Sequence, residues 1–421
     1  MRFLYAFAAA LTALSIVVLQ TFRGIQIVGL VQDSIWVFVC AIVFFRATKY
    51  SRTFVAWLYI FLAFLLVGIL SIIFNPDVSS QAYPYSKLAK TFVVWVYMYC
   101  VGYYLGESLL KALYKISYLW ILATFIFAAI MSFDTIQIYS ILHQIKSTYL
   151  PVGRSLSVAA LTVLFGGQGR AVGKKIASNV LFFAAAITIL TIDSKGPLFS
   201  VIFVAISANF MLQVLRRGST RLSAYAMVAT LLAFITVIGI YAYSDVGIAT
   251  SGVVPNGISN STSVRSRLQL YRHALDVFIN RPVMGSGIGS YYAVLPSAVD
   301  GSYASQKTDV VYRYPHNIFF EAIAETGLMG FVWIALLLVY PIYNAYKVLY
   351  RHIANKKLIN AYQIKYVITS LALYINAVII SQFSSDISGN YWIALFAGVL
   401  LGQVKEFKTQ YKNIGTAKGG Y

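Results

Sequence analysis

Residues 313–330 read RYPHNIFFEAIAETGLMG, and residues 264–292 read VRSRLQLYRHALDVFINRPVMGSGIGSYY. Pro315 opens an apolar stretch that runs to about residue 346 and carries two acidic residues, Glu321 and Glu325. Apolar runs of this length are read as membrane spans rather than as core helices. Ahead of it, five arginines (Arg265, Arg267, Arg272, Arg281 and Arg313) stand in a connection between apolar regions. The fold is decided by that contrast: membrane spans on both sides of a basic external loop. Such a concentration of cations beside a bilayer calls for an anionic partner.

The composition agrees. The 421-residue chain is 59% hydrophobic and 11% charged, where soluble domains carry about 25% charged residues. An all-α polytopic membrane protein is expected, with about twelve spans near 4–20, 25–45, 53–74, 91–106, 118–133, 155–167, 176–192, 197–215, 224–243, 316–346, 366–382 and 391–403. The sixth is short and either extends back toward Leu150 or re-enters. The expected organisation is a membrane bundle over 1–243, an external loop over 244–315, further spans over 316–403 and a tail over 404–421, irregular from Asn413. The N-terminal apolar run shows no clear cleavage site and reads as the first span. Cys40 and Cys100 lie in apolar runs without metal-ligand spacing and read as unpaired thiols.

The net charge is +20. With the N-terminus inside, 21 of the 33 basic residues face the cytoplasm, and half of the other 12 fall in the 244–315 loop. This is the bias that orients membrane proteins. Positive charge spread over loops on both sides argues against nucleic acid. The same topology puts Lys195, Arg154, the arginine-rich loop and His316 on one outer face.

Within the loop, residues 264–279 have helical spacing. Val264, Leu268, Tyr271, Leu275 and Phe278 fall on one face and Arg265, Gln269, Arg272 and Asp276 on the other, as in a helix lying along the membrane surface. Asn280-Arg281-Pro282 ends it. Gly285-Ser286-Gly287-Ile288-Gly289 lacks the strand and the βαβ setting of a dinucleotide fingerprint. It is either a turn that needs small residues or a place where backbone approaches a phosphate.

These motifs resemble the O-antigen ligase and polymerase family: Arg267-Leu268 with Tyr271, Pro282 with Gly285 and Gly287, then His316-Asn317 followed by Glu325, Gly327 and Gly330. Asp193-Ser194-Lys195-Gly196 resembles a shorter family motif upstream. The resemblance implies a metal-independent, inverting glycosyltransferase of the bacterial inner membrane, active on the periplasmic face without a cofactor. Its donor would be an undecaprenyl-pyrophosphate-linked glycan. The acceptor would be a second lipid-linked repeat unit, in a polymerase, or lipid A-core, in a ligase. The Ser-Lys-Gly-Pro and Pro-His-Asn forms look more like polymerases, whose further partners would be a chain-length regulator and a flippase. A transporter or flippase is the other reading of so many spans, but repeated halves or interrupted spans are not evident.

Roles follow from chemistry. Pro315 is expected to start a helix, with His316 in its first turn, where the positive helix end favours a neutral imidazole able to act as general base. A capping or interfacial histidine is the alternative. Arg267 can hold a diphosphate bidentately, or it can snorkel to headgroups. Lys195, Arg154, Arg265, Arg272, Arg281, Arg313 and Asn317 are further candidates for substrate contact. Glu325 lies too far along the helix to touch His316, and Glu325 and Glu321 are expected to support the site. His143, His273 and His352 read as structural. No metal cluster is evident, so the leaving diphosphate would rely on cationic side chains.

Overall fold

The computed structural model describes residues 2–22, 25–44, 52–75, 82–144, 149–166, 172–217, 262–291, 314–354, 361–383 and 386–418. Within them the chain is helical: α1 (Arg2–Val17), a short 3-10 turn (Leu19–Phe22), α2 (Gln26–Phe44), α3 (Arg52–Ile73), α4 (Ala82–Ile130), α5 (Thr135–Gln144), α6 (Tyr149–Gly166), α7 (Val172–Thr191), α8 (Lys195–Arg217), α9 (Thr262–Asn280), α10 (Ile318–Ala354), α11 (Ala361–Ile380) and α12 (Trp392–Lys418). Strands are absent among the described residues. Seven of these helices are long and apolar enough to cross a membrane: α2, α3, α4, α6, α7, α8 and α10; α1 and α11 are shorter and apolar. The expected ninth span and much of the expected external loop lie outside the described residues.

Several boundaries differ from expectation. The sixth span is a full helix beginning at Tyr149, so Arg154 lies inside it rather than before it. α12 continues to Lys418, so the helix runs on through most of the tail read as irregular. The fourth and fifth expected spans are one helix, α4, of 49 residues with non-helical backbone at Gly106. Straight, it would reach about 73 Å, more than twice a hydrocarbon core. Its two ends nevertheless meet partners at the same end of the bundle. Lys87 bonds to residues at the start of α10, and Thr135, just beyond α4, donates to the Thr191 carbonyl at the end of α7 at 3.0 Å. The Gly106 break therefore folds α4 back across the bundle.

α12 packs most extensively on α4. Glycine makes that possible. A Cβ on Gly102 would sit 2.0 Å from the Leu395 carbonyl oxygen, and one on Gly398 would sit 2.2 Å from that of Tyr99. Lipid gives no hydrophobic drive to helix association, so close backbone approach of this kind supplies the packing. An aromatic column fills the adjoining space. Trp57 stacks on Tyr99 at 3.9 Å, and Phe61 on Trp95 at 5.6 Å. The Trp95 indole then donates to the Ile387 carbonyl at 3.1 Å. That bond carries the core up to the 381–391 connection, the element around which the polar end of the molecule is arranged.

Candidate active site

α10 is in two parts. Gly327 (φ 63°, ψ −160°) interrupts it, in a region of backbone space open essentially to glycine. The loop 281–290 inserts at this break. The N–H groups of Ser286 and Gly287 donate to the carbonyls of Ala324 and Glu325, each at 2.9 Å, and the N–H of Leu328 donates to Pro282 O at 2.8 Å. A Cβ on Gly285 would lie 2.5 Å from Glu325 backbone, and one on Gly327 would lie 2.4 Å from Val283 O. Ile288 N–H donates to Ser71 Oγ on α3 at 3.1 Å. Of the two readings of the glycine run, the structure favours the turn. Its amides at 285, 286, 287, 288 and 290 are all taken by the protein, which leaves them unavailable as a phosphate cradle. The loop is a clasp between α3 and α10.

Three buried ionic side chains lie beside the clasp. Lys87 of α4 donates to Glu321 Oε1 at 2.5 Å and to Glu325 Oε2 at 2.8 Å. All three side chains are at most 2% exposed. Glu321 also accepts from Ile387 N–H at 2.9 Å through its other oxygen. This pair of carboxylates therefore ties α10 to α4 and to the 381–391 connection. Lys87 was missed in the sequence because it was placed outside the fourth span. A signal was present: two carboxylates on an apolar helix need a cation, and intramembrane charges pair with one another.

His316 does not stand in a helical turn, as expected from Pro315. α10 starts at Ile318, and Asn317 caps it, its Oδ1 accepting from Phe319 N–H at 2.9 Å and Phe320 N–H at 3.2 Å. Asn317 Nδ2 donates to Gln382 O at 3.4 Å, so this amide is committed to the fold at both ends. His316 precedes the cap in a left-handed conformation, φ 58°, uncommon for a residue with a Cβ. Its ring lies 4.5 Å from that of Tyr314. Burial, together with the carboxylates of Asp386 and Glu321, pushes the Tyr314 phenol above its ordinary value, while Arg154 and Lys87 act against them. Arg154, half-buried on α6, thus lies within electrostatic reach of Tyr314, and it also reaches Tyr391.

The surface helix also faces differently from its reading. Leu270, Ala274 and Val277 are the buried residues in the described part of α9, packed with Tyr291, Ala324 and Phe320; Leu275, expected on the apolar face, is 41% exposed. Tyr271 stacks on Phe320 at 4.5 Å and donates to Gln382 O at 3.5 Å. Arg267 stands one helical turn before Tyr271, and Arg265 is on the same helix; both side chains lie outside the described part. Arg272 is exposed. Arg281 donates to Asn75 Oδ1 at the end of α3, on an open cavity of about 400 Å³ with Phe74, Val283 and Met284. Arg313 lies outside the described residues. Lys195 is 65% exposed at the start of α8, 3.7 Å from Asp193. Its neighbour Gly196 packs on Phe383.

The 381–391 connection is thus the meeting point of the α8 start, the His316 segment, α9 and the Lys87 cluster. Asp386 holds it in shape, accepting from Ser388 Oγ at 2.7 Å and Gly389 N–H at 2.8 Å. No group of three or more potential metal ligands occurs among the described residues.

These features define a polytopic membrane protein with a polar, cation-bearing end. Residues 180–335 match the family model described as O-antigen ligase. Over that stretch the chain is similar to the O-antigen ligase domain, a domain of membrane glycosyltransferase-type enzymes. The match takes in Lys195, Arg267, His316, Glu321 and Glu325, and leaves Lys87, Arg154 and Asp386 outside it. No curated protein matches the chain.

Proposed function

We propose that the protein polymerises polyprenyl-pyrophosphate-linked oligosaccharide repeats on the outer face of the bacterial inner membrane. The supporting observation is the gathering of the His316 segment, α9 and the α8 start around the 381–391 connection. His316 takes the proton of an acceptor hydroxyl. The acceptor oxygen forms its bond to the anomeric carbon of the donor as the bond from that carbon to the diphosphate oxygen breaks. One displacement inverts the centre. The lipid diphosphate leaves with the bonding electrons, and Arg267 with Arg154 and Lys195 offsets its charge, guanidinium being suited to bidentate phosphate contact. Asn317, Glu321 and Glu325 keep the segment bearing His316 in place rather than contacting the sugar. A ligase reading, with lipid A-core as acceptor, is favoured by the family description matched at residues 180–335.

Single-turnover assays with a defined lipid-linked donor test the base, and the choice of acceptor tests polymerase against ligase. His316→Gln keeps hydrogen bonding without a titratable base near neutrality, and is expected to lose the roughly 10²–10⁴-fold that general-base catalysis contributes. A His316→Gln enzyme within a few-fold of wild type would remove the base from this residue. Transfer to lipid A-core but not to a second repeat unit would make the protein a ligase.

A further inference from the structure

A second cavity lies far from His316. Gly106 is about 28 Å along α4 from Lys87 at ~1.5 Å per residue, close to the ~30 Å of a hydrocarbon core. Just beyond the break, Lys111 and Lys115 of α4 and Lys365 of α11 line a cavity of about 300 Å³. Leu110, Tyr114, Gly166 and Tyr366 form apolar and aromatic walls, and Thr162 and Thr369 also line it, their hydroxyls donating to the Val158 and Lys365 carbonyls of their own helices at 2.7 and 2.8 Å. We infer that this cavity binds the doubly charged headgroup of an anionic phospholipid from the leaflet opposite His316.

The charge balance supports the assignment. Lys111 pairs with Glu107 at 2.5 Å, and Glu406 and Lys405 act on the same cluster. Three of these lysines line the cavity, and with Lys405, whose ammonium lies over the Tyr103 ring at 5.3 Å, the region carries four ammonium groups against the carboxylates of Glu107 and Glu406, an excess of two positive charges that two phosphodiesters would offset. Lysines that served topology alone would need no cavity, whereas these come from two helices and surround one, with α6 closing the wall. Basic pockets between transmembrane helices on the cytoplasmic side are suited to such headgroups. The surrounding face is cationic too. Burial, with Lys347 and Arg351 nearby, holds the Lys408 ammonium below the ordinary lysine value. A free phosphate ion would use the lysines but not the apolar walls.

Native mass spectrometry of the delipidated full-length protein, titrated with cardiolipin, phosphatidylglycerol, phosphatidylcholine and inorganic phosphate, tests the site. Cardiolipin is expected to be retained as a single saturating adduct, roughly fivefold more tightly than phosphatidylglycerol, the factor given by about 1 kcal/mol for one further charge contact, with no phosphatidylcholine adduct. Lys111→Gln/Lys115→Gln/Lys365→Gln should lose the cardiolipin adduct. Lys115 is exposed, so Lys115→Glu should fold normally and weaken cardiolipin in the same direction. Equal cardiolipin retention by wild type and Lys115→Glu would overturn the site, as would phosphatidylcholine binding equal to cardiolipin. Inorganic phosphate competing at the concentration of the lipid would replace the lipid with a simple anion site. None of these readouts depends on glycan transfer.

Discussion

Lys87 is one ammonium between two carboxylates in a place that water does not reach. A buried pair of this kind is a poor source of net stability, but removing one partner leaves an uncompensated charge at about 3–5 kcal/mol. Lys87→Met should therefore lower the thermal midpoint sharply in detergent. The neutral triple variant Lys87→Met/Glu321→Gln/Glu325→Gln should recover most of the loss; a Lys87→Met protein that melts with the wild type would refute the pairing. Arg267 belongs to the other kind of residue, one whose value lies in a ligand. Arg267→Ala should strongly reduce transfer from a lipid-pyrophosphate donor, and Arg267→Lys, which keeps charge but loses the fork, should restore part of it. Wild-type turnover by Arg267→Ala would leave headgroup snorkelling as the account of this side chain. At this scale the sequence was informative about local chemistry and silent about partners. Glu321 and Glu325 are legible as supports of the site, but their cation is more than 230 positions away, a pairing that topology decides.

Among the elements, the broken helix α10 and the loop clasped into it form one unit. Gly327→Ala places a Cβ against Val283 O and forces a conformation alanine avoids, so a loss on the order of 3 kcal/mol is expected. Gly173→Ala, whose Cβ would meet nothing within 4 Å, is the matched control and should leave unfolding unchanged. Equal melting of the two variants would show that the loop is not held as described. The elements also explain which readings succeeded. Long apolar runs marked the helices because hydrocarbon demands internally bonded backbone. The face of α9 was misread for a related reason. Leu270 and Val277 pack on protein, while Leu275 and Ile279 are exposed, and hydropathy does not separate a side chain facing lipid from one facing a neighbouring helix. The start of α10 was misplaced because Pro315 and Asn317 are both helix-start residues, and a left-handed His316 between them has no signature in composition.

For the molecule as a whole, orientation is the central question, and it rests on the 21-to-12 partition of basic residues under the positive-inside rule. Ser286 is buried beneath α10 and is a poor reporter, whereas Arg281 and Lys115 are exposed. In a background lacking Cys40 and Cys100, an impermeant thiol reagent should label Arg281→Cys in intact cells and reach Lys115→Cys after permeabilisation. Labelling of Lys115→Cys alone in intact cells would invert the protein and put His316 in the cytoplasm. The clasp bears on the whole chain in one more way. Its fastening is main-chain to main-chain, fixed by glycines, and it makes no demand on the exposed side chain of Val283 or the half-exposed one of Met284. Such a frame is permissive: side chains bordering it can be exchanged without unlatching it.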